Sequence, residues 1–354
     1  MPADSDAVLH VVTGKGGTGK TTVAAALALA LATGGNRVLL MEVEGRQGIA
    51  QLFDTSPLPY QEKRLAAAPG GGEVYGLAVD PELAMLEYLE IFYNLKRAGR
   101  ALRTMGAIDF VTTIAPGLRD VLLTGKVKEV VTRRQKDGQS VYDAVVLDAP
   151  PTGRIRQFLD VTKDVAGLAR MGPIHKQSHG VIRVLHDPRT RVHLVTLLEE
   201  MPVQETLDAA GELTSSRYAL GTVVVNRARP DLVRDGVFRR TRTGRPADVA
   251  RLAEGLDRAG VDPGLAAGLA QELSDFDLRQ QVQSENAERL AVLYRPVVRL
   301  PELSPPVDLG GLYELAQLLE PVARPDHQAP ARPSTAEGPE ETASPAATKA
   351  GTGR

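Results

Sequence analysis

Short apolar runs alternate with stretches of helical periodicity along most of the chain. Runs of a few residues rich in Val and Leu predict buried strands. These runs cover residues 8–13, 37–43, 74–79, 141–147, 191–197, 221–225 and 296–300. Residues 20–33 predict a helix that ends at the glycines that follow. Nearly continuous apolar strands separated by helices are typical of a parallel sheet covered on both faces. We therefore predict an α/β fold with a mostly parallel twisted sheet flanked by helices.

Two longer stretches are mainly helical and do not fit a simple crossover between neighbouring strands. They run from about 81 to 134 and from about 234 to 288, and we expect them to form an inserted helical layer. Residues 324–354 consist largely of Pro, Ala, Thr, Glu and Gly without an apolar period. Such a segment buries too little apolar surface to offset the entropy of ordering it. We expect one folded domain at 1–323 and a disordered tail at 324–354.

Composition removes several classes of function. The chain of 354 residues has no cysteine, which excludes disulfides, thiolate zinc sites, iron–sulfur ligands and thiol nucleophiles. A net charge of −2 gives no support for binding nucleic acid or acidic membranes through bulk charge. The longest purely apolar run, 23–32, is too short to cross a bilayer, and the first residues lack a basic signal region. We expect a cytoplasmic protein with no stable membrane anchor and no nucleic-acid partner.

The strongest motif is GKGGTGKTT at residues 14–22, which fits the phosphate-loop pattern G-x-x-x-x-G-K-[ST]. It follows the first predicted strand and opens the first predicted helix, where backbone amides and the helix N-terminus can bind phosphate. Lys20 would reach the β- and γ-phosphates, and the Thr21 hydroxyl would bind Mg²⁺. The predicted ATP-binding residues of this loop are Gly14, Lys15, Gly16, Gly17, Thr18, Gly19, Lys20, Thr21 and Thr22.

Lys15, directly after the first glycine, makes the motif more specific. The GKGG sequence resembles the deviant Walker A motif of the SIMIBI class of P-loop ATPases. The class includes MinD, ParA, the nitrogenase iron protein and the ArsA/guided-entry (GET) ATPases. There, this lysine reaches across a nucleotide-sandwiched dimer to the partner's phosphates. The resemblance implies a dimer in which Lys15 is catalytic in trans, and the alternative is a solvated loop lysine.

Two further segments resemble the switch regions of the ArsA/guided-entry ATPases. EVEGRQGIAQLF at 42–53 lies where that family has switch I, and the resemblance places Glu44 at the catalytic carboxylate. VVLDAPPTGR at 145–154 resembles switch II, which implies that Asp148 binds Mg²⁺ together with Thr21. An aspartate that ends a strand is also a common helix N-cap, which is the alternative for Asp148.

Three weaker matches concern the nucleoside. Glu199, in the segment that ends in Glu205-Thr206, falls at the family's nucleotide-contacting glutamate, although it also fits an acid at a helix start. Asn226, in VVN, resembles the asparagine that reads the adenine edge, for which an amide offers both donor and acceptor. It also fits an ordinary turn. Leu303, in LPEL, resembles the late loop that packs on the base.

The chain departs from the family at several positions. Glu44 replaces an aspartate and adds one methylene, so it is either a working base on a shifted backbone or a sign of slow turnover. Glu42 is a nearby substitute, and Arg46 could pair with either acid. Arg154 replaces a histidine and is either a phosphate or interface contact or a surface ion pair. The absent cysteines exclude thiolate activation by arsenite and imply a dimer without zinc.

The resemblance implies an ATPase of the ArsA/GET type that is cysteine-free and has one module. It would bind and hydrolyse ATP with Mg²⁺ at a homodimer or heterodimer interface and couple nucleotide state to an unknown client. An ATP-binding, weakly hydrolysing regulatory subunit of a heterodimer is the alternative. The apolar helix at 83–95 either forms a client groove or packs in the core. The small number of methionines in the chain favours core packing, because grooves that accept varied apolar clients are often rich in methionine. A MinD- or ParA-like positioning protein is a third reading, without support from the tail or the charge.

Overall fold

The computed structural model describes residues 8–93, 116–168, 173–229 and 249–323. Its strands are β1 (Val8–Gly14), β2 (Arg37–Glu42), β3 (Lys63–Ala67), β4 (Glu73–Ala78), β5 (Ala144–Asp148), β6 (Arg191–Thr196), β7 (Leu220–Ala228) and β8 (Val297–Pro301). Its helices are α1 (Lys20–Ala32), α2 (Gly48–Leu52), α3 (Pro81–Tyr93), α4 (Pro116–Val131), α5 (Thr152–Leu168), α6 (Pro173–Leu185), α7 (Glu200–Ser215), α8 (Val249–Arg258), α9 (Ala266–Leu290) and α10 (Leu309–Ala323).

The strands form one sheet of eight in the order β3-β4-β2-β5-β1-β6-β7-β8. Every neighbouring pair is parallel except β3 and β4, so the predicted mostly parallel sheet is confirmed. β3 has no counterpart among the predicted strands. It is a short edge strand with Lys63 and Arg64 at its start and a bulge before Ala66. Charged side chains and irregular pairing protect the edge of a sheet from pairing with other strands. Because such a strand has no apolar run, the hydrophobic pattern did not predict β3.

The two faces of the sheet bury alternate residues of each strand. On β1, Val12 packs into the cluster around α1 and α10, whereas Leu9 and Val11 pack into the cluster formed with α4, α5, α6 and α7. On β5, Val146 lies on the α1 face and Leu147 on the other. Helix α1 is apolar all round because it lies between the sheet and α10. The phosphate loop therefore leads into a helix that is buried throughout residues 23–32.

Each of the two predicted helical stretches contains two α-helices within the described residues. The first contributes α3 and α4, and α4 packs against α5 and α6. The second contributes α8 and α9, of which α9 packs against α7. Parts of both stretches (94–115 and 230–248) and the predicted disordered tail lie outside the described residues. Within the described ranges, no helix is long and apolar enough to cross a membrane.

Candidate functional site

The glycines of residues 14–22 divide into two that are packed and two that are open. A Cβ on Gly14 would lie 2.1 Å from the carbonyl oxygen of Val195 on β6. Gly19 has φ +86°, and its Cβ would lie 2.3 Å from Asn226 Nδ2. Around Gly16 and Gly17, by contrast, a Cβ would meet nothing within 4 Å. The loop is thus anchored at both ends and open in the middle, as a phosphate cradle requires.

Internal hydrogen bonds hold this loop in shape. The Thr18 hydroxyl donates to the carbonyl oxygen of Lys15 at 2.9 Å, and Thr18 is 1% exposed. Asn226 Nδ2 donates to the carbonyl oxygen of Thr18 at 2.9 Å. Asn226 therefore supports the loop from the end of β7, a contact that sequence reasoning missed. Its role in reading adenine remains a prediction.

Thr21 and Asp148, the two residues expected to bind Mg²⁺, are in contact. Thr21 Oγ1 donates to Asp148 Oδ2 at 2.7 Å. Asp148 Oδ1 is buried and has no hydrogen-bond partner among the described residues. Burial raises the pKa of Asp148 to about 7, against the opposing effects of the Thr21 hydrogen bond and the Lys20 charge. Burial also lowers the pKa of Lys20, which Asp148 and Glu44 partly oppose.

This environment fits a magnesium ion. A hydroxyl oxygen and a carboxylate with a spare, dehydrated oxygen are the hard donors that Mg²⁺ prefers. The described residues contain no group of three or more His, Asp or Glu side chains that could enclose a metal on their own. Mg²⁺ usually retains several waters and binds substrate phosphates as well as one or two carboxylates. Thr21 and Asp148 therefore suit a metal that arrives with a nucleotide.

The two acids after β2 have different surroundings. The side chain of Glu44 is 19% exposed, and its Oε2 lies 3.6 Å from Arg46 Nη2. Glu42 is only 2% exposed, and its Oε2 accepts a hydrogen bond from the backbone nitrogen of Ile49 at 3.3 Å. Arg46 thus pairs with Glu44, the predicted catalytic residue.

Lys15 makes an ion pair within its own chain. Its Nζ lies 2.5 Å from Glu205 Oε1 on α7, and the two side chains are 30% and 35% exposed. Thr152, at the start of α5, donates to Glu205 Oε2 at 3.2 Å. Sequence reasoning assigned no role to Glu205, although the resemblance to the segment ending in Glu-Thr pointed at it. Glu205 links the phosphate loop to the helix after switch II.

The two remaining predicted nucleoside residues, Glu199 and Leu303, lie on different parts of the fold. Glu199 is the exposed N-cap residue of α7 and lines an open cavity of about 470 Å³ with Arg227 and Glu302. Leu303 is half-buried and packs on the α1 face of the core. Within the described ranges, neither side chain makes a hydrogen bond or an ion pair with the phosphate loop. Their roles at the nucleoside remain predictions.

Arg154, in the segment that resembles switch II, forms an ion pair within its own chain. Its Nη2 lies 3.6 Å from Asp120 Oδ2 on α4. Burial raises the pKa of Asp120, and Arg154 opposes that rise. The arrangement joins the first turn of α5 to α4 by an ion pair with one buried partner.

Comparison with known proteins agrees with this geometry. Residues 8–185 match the anion-transporting ATPase family. ATPase BagA of Mycobacterium tuberculosis is 54% identical to this chain over 323 residues, which is 88% of this chain and 92% of that protein. The chain belongs to the anion-transporting ATPase family. An arsenical pump-driving ATPase of Escherichia coli is 25% identical over 338 residues, 89% of this chain but 54% of that longer protein. This member of the family is an ATPase built on a P-loop fold.

Proposed function

We propose that this ATPase binds ATP with Mg²⁺ at the phosphate loop and hydrolyses it in a dimer that switches the binding of a protein client. The observation that carries the proposal is the contact between Thr21 and Asp148. It places a hydroxyl and a buried carboxylate with a free oxygen beside an open glycine cradle. Because ATP is abundant in the cytoplasm, we infer that the protein acts there.

The side chains divide the work of the reaction. Lys20 and the loop amides would bind the phosphates, and Thr21 and Asp148 would hold the metal, which would supply positive charge to the phosphates. Glu44 orients or deprotonates the attacking water from switch I. The carboxylate of Glu44 is partly exposed and interacts electrostatically with Lys20, so it has access to solvent water, which supports this assignment.

The dimer is proposed from the resemblance of Lys15 to the lysine that acts in trans. Its ion pair with Glu205 is partly solvated, so exchanging it for a partner's phosphate costs little. Such a dimer would form without a thiolate zinc site because the chain has no cysteine. The helical layer of α3 and α4 is joined to switch II through Arg154 and Asp120, which gives nucleotide state a route to a client surface.

Turnover in three proteins tests the proposal. Mg²⁺-dependent phosphate release should be measured for the wild type, Lys20→Ala and Glu44→Gln. We expect Lys20→Ala to lose nucleotide binding and Glu44→Gln to retain binding but lose at least tenfold in turnover. Identical rates in all three would contradict the proposal.

A second candidate is a nucleotide-binding subunit that hydrolyses weakly and pairs with a related ATPase. It is favoured by the contact of Arg46 with Glu44, which ties the predicted base to a cation. Mass photometry with and without ATP, alone and after pull-down from the native cell, separates the candidates. Tight ATP binding without turnover, restored by a captured partner, supports the heterodimer. Robust turnover by a purified homodimer rules it out.

A further inference from the structure

Glu42, the last residue of β2, is a buried acid with half of its carboxylate unused. It is 2% exposed, although carboxylates almost never lie inside a protein without partners. Its Oε2 accepts one long hydrogen bond, 3.3 Å, from the backbone nitrogen of Ile49. Its Oε1 is buried and has no hydrogen-bond partner among the described residues.

Glu42 stands beside Asp148 in the sheet. β2 and β5 are parallel neighbours, and Glu42 is the register partner of Asp148. Strands alternate their side chains between the two faces. Leu40 and Val146 lie on the α1 face, so Glu42 and Asp148, two residues further on in each strand, point to that face as well.

The two neighbouring carboxylates each leave one buried oxygen without a partner, Oε1 of Glu42 and Oδ1 of Asp148. A buried polar atom without a partner costs about 1–3 kcal/mol, more if it carries charge. Two acids side by side add mutual repulsion. A divalent cation between them and Thr21 would remove both penalties.

We propose that Glu42 is a third protein residue of the magnesium position, where its carboxylate accepts hydrogen bonds from the hydration shell of the ion held by Thr21 and Asp148. The assignment rests on the proposed nucleotide function. It separates Glu42 from Glu44, whose carboxylate is partly exposed and already meets Arg46. Glu42 positions the metal, and Glu44 acts on water.

The test is the Mg²⁺ dependence of nucleotide binding by the intact chain, with fluorescent N-methylanthraniloyl-ADP as the probe and no turnover involved. For Glu42→Gln we expect affinity in EDTA within twofold of the wild type. The Mg²⁺ concentration that gives half of the affinity gain should rise about tenfold or more. Glu44→Gln is the matched control and should keep the wild-type Mg²⁺ midpoint.

Thermal unfolding distinguishes a metal-positioning role of Glu42 from a purely structural role, because the two roles predict opposite changes in the stability of Glu42→Gln in EDTA. In EDTA without nucleotide, Glu42→Gln should be at least as stable as the wild type, because it removes one of two neighbouring acids and keeps an acceptor for Ile49. With Mg²⁺ and ADP it should gain less stability than the wild type. A variant that fails to fold, or that melts earlier in EDTA, overturns the proposal in favour of a structural carboxylate.

The outcomes separate this proposal from the function on which it rests. No binding of the fluorescent ADP to the wild type, with or without Mg²⁺, would overturn the nucleotide function itself. Binding by the wild type that Mg²⁺ strengthens, with an unchanged Mg²⁺ midpoint in Glu42→Gln, overturns only the role of Glu42.

Discussion

Lys15 Nζ lies 2.5 Å from Glu205 Oε1 of the same chain. The lysine whose position resembles a trans-acting residue therefore makes an ion pair within its own chain. Glu205 also accepts from Thr152, so the contact joins the phosphate loop to the start of α5 and to α7. Dimer closure would have to break this ion pair before Lys15 could reach a partner's phosphates.

Removing the acid should favour closure. In Glu205→Gln, Lys15 no longer gives up an ion pair, so we expect the ATP-dependent dimer to form at a protein concentration about two- to fivefold lower. The effect is small because partly exposed ion pairs contribute about 0–1 kcal/mol. Mass photometry across a dilution series measures it. Asp208→Asn on the exposed side of the same helix is the control, and a weaker dimer in Glu205→Gln would contradict the expectation.

The glycines at the two kinds of position in the loop should respond differently to alanine. Gly14→Ala places Cβ against the carbonyl oxygen of Val195, so we expect it to lose more than about 2 kcal/mol in the free energy of unfolding. Gly16→Ala fits open space and should stay within about 0.5 kcal/mol of the wild type.

Gly16→Ala, which should be as stable as the wild type, should nevertheless bind nucleotide more weakly. Although Gly16→Ala folds normally, its methyl group enters the space that a phosphate would occupy, so we expect at least tenfold weaker ADP binding. Urea unfolding and a fluorescent nucleotide titration measure the two effects separately. Wild-type ADP affinity in Gly16→Ala would contradict a phosphate at that position.

The hydrogen bond from Asn226 to Thr18 predicts that Asn226→Ala loses nucleotide affinity regardless of the base. In Asn226→Ala the buried carbonyl oxygen of Thr18 loses its donor, which should cost about 1–3 kcal/mol of stability and loosen the phosphate loop. We expect affinities for ATP and GTP to fall by similar factors. A fall confined to ATP would instead show that Asn226 acts by reading adenine.

Local patterns carried most of the fold. The β1 run, the glycine spacing and the helix after it are contiguous, so they predict the phosphate loop and its place after the carboxyl end of β1 without any long-range information. β3 was missed because an edge strand of charged and small residues has no apolar run. β5 starts at Ala144 rather than 141, three residues later than its apolar run.

The candidate site was less accessible because its contacts join distant residues. Thr21 and Asp148 could be paired from motifs, but Lys15 meets Glu205 across 190 positions and Asn226 meets Thr18 across 208. The position of Glu42 beside Asp148 depends on the register between β2 and β5, which no spacing in the sequence determines.

His10 on β1 and His193 on β6 form a buried pair of neutral histidines. Thr222 donates its backbone N–H to His193 Nδ1 at 3.1 Å, so His193 carries its proton on Nε2, 3.0 Å from His10 Nδ1. The rings are stacked with centroids 5.3 Å apart. Burial lowers the pKa of His10 to about 4 and the pKa of His193 well below its usual value, each with a contribution from Arg191.

This pair predicts acid sensitivity of folding. Because both folded pKa values lie below the unfolded value near 6.5, the unfolded chain takes up protons first. The stability from neutral His10 is therefore complete above pH 6.5 and is lost as the pH falls toward about 4. For His10 the slope is about 1.4 kcal/mol per pH unit, which amounts to on the order of 2 kcal/mol at pH 5, and His193 contributes with the same sign.

Urea unfolding at pH 7 and pH 5 measures this loss. The double variant His10→Gln/His193→Gln keeps an acceptor for Thr222 but cannot titrate at these positions, so we expect it to lose less stability than the wild type between the two pH values, by about 2 kcal/mol or more. Equal losses in the wild type and the double variant would show that the acid sensitivity comes from other groups, and that the buried pair does not take up protons on unfolding.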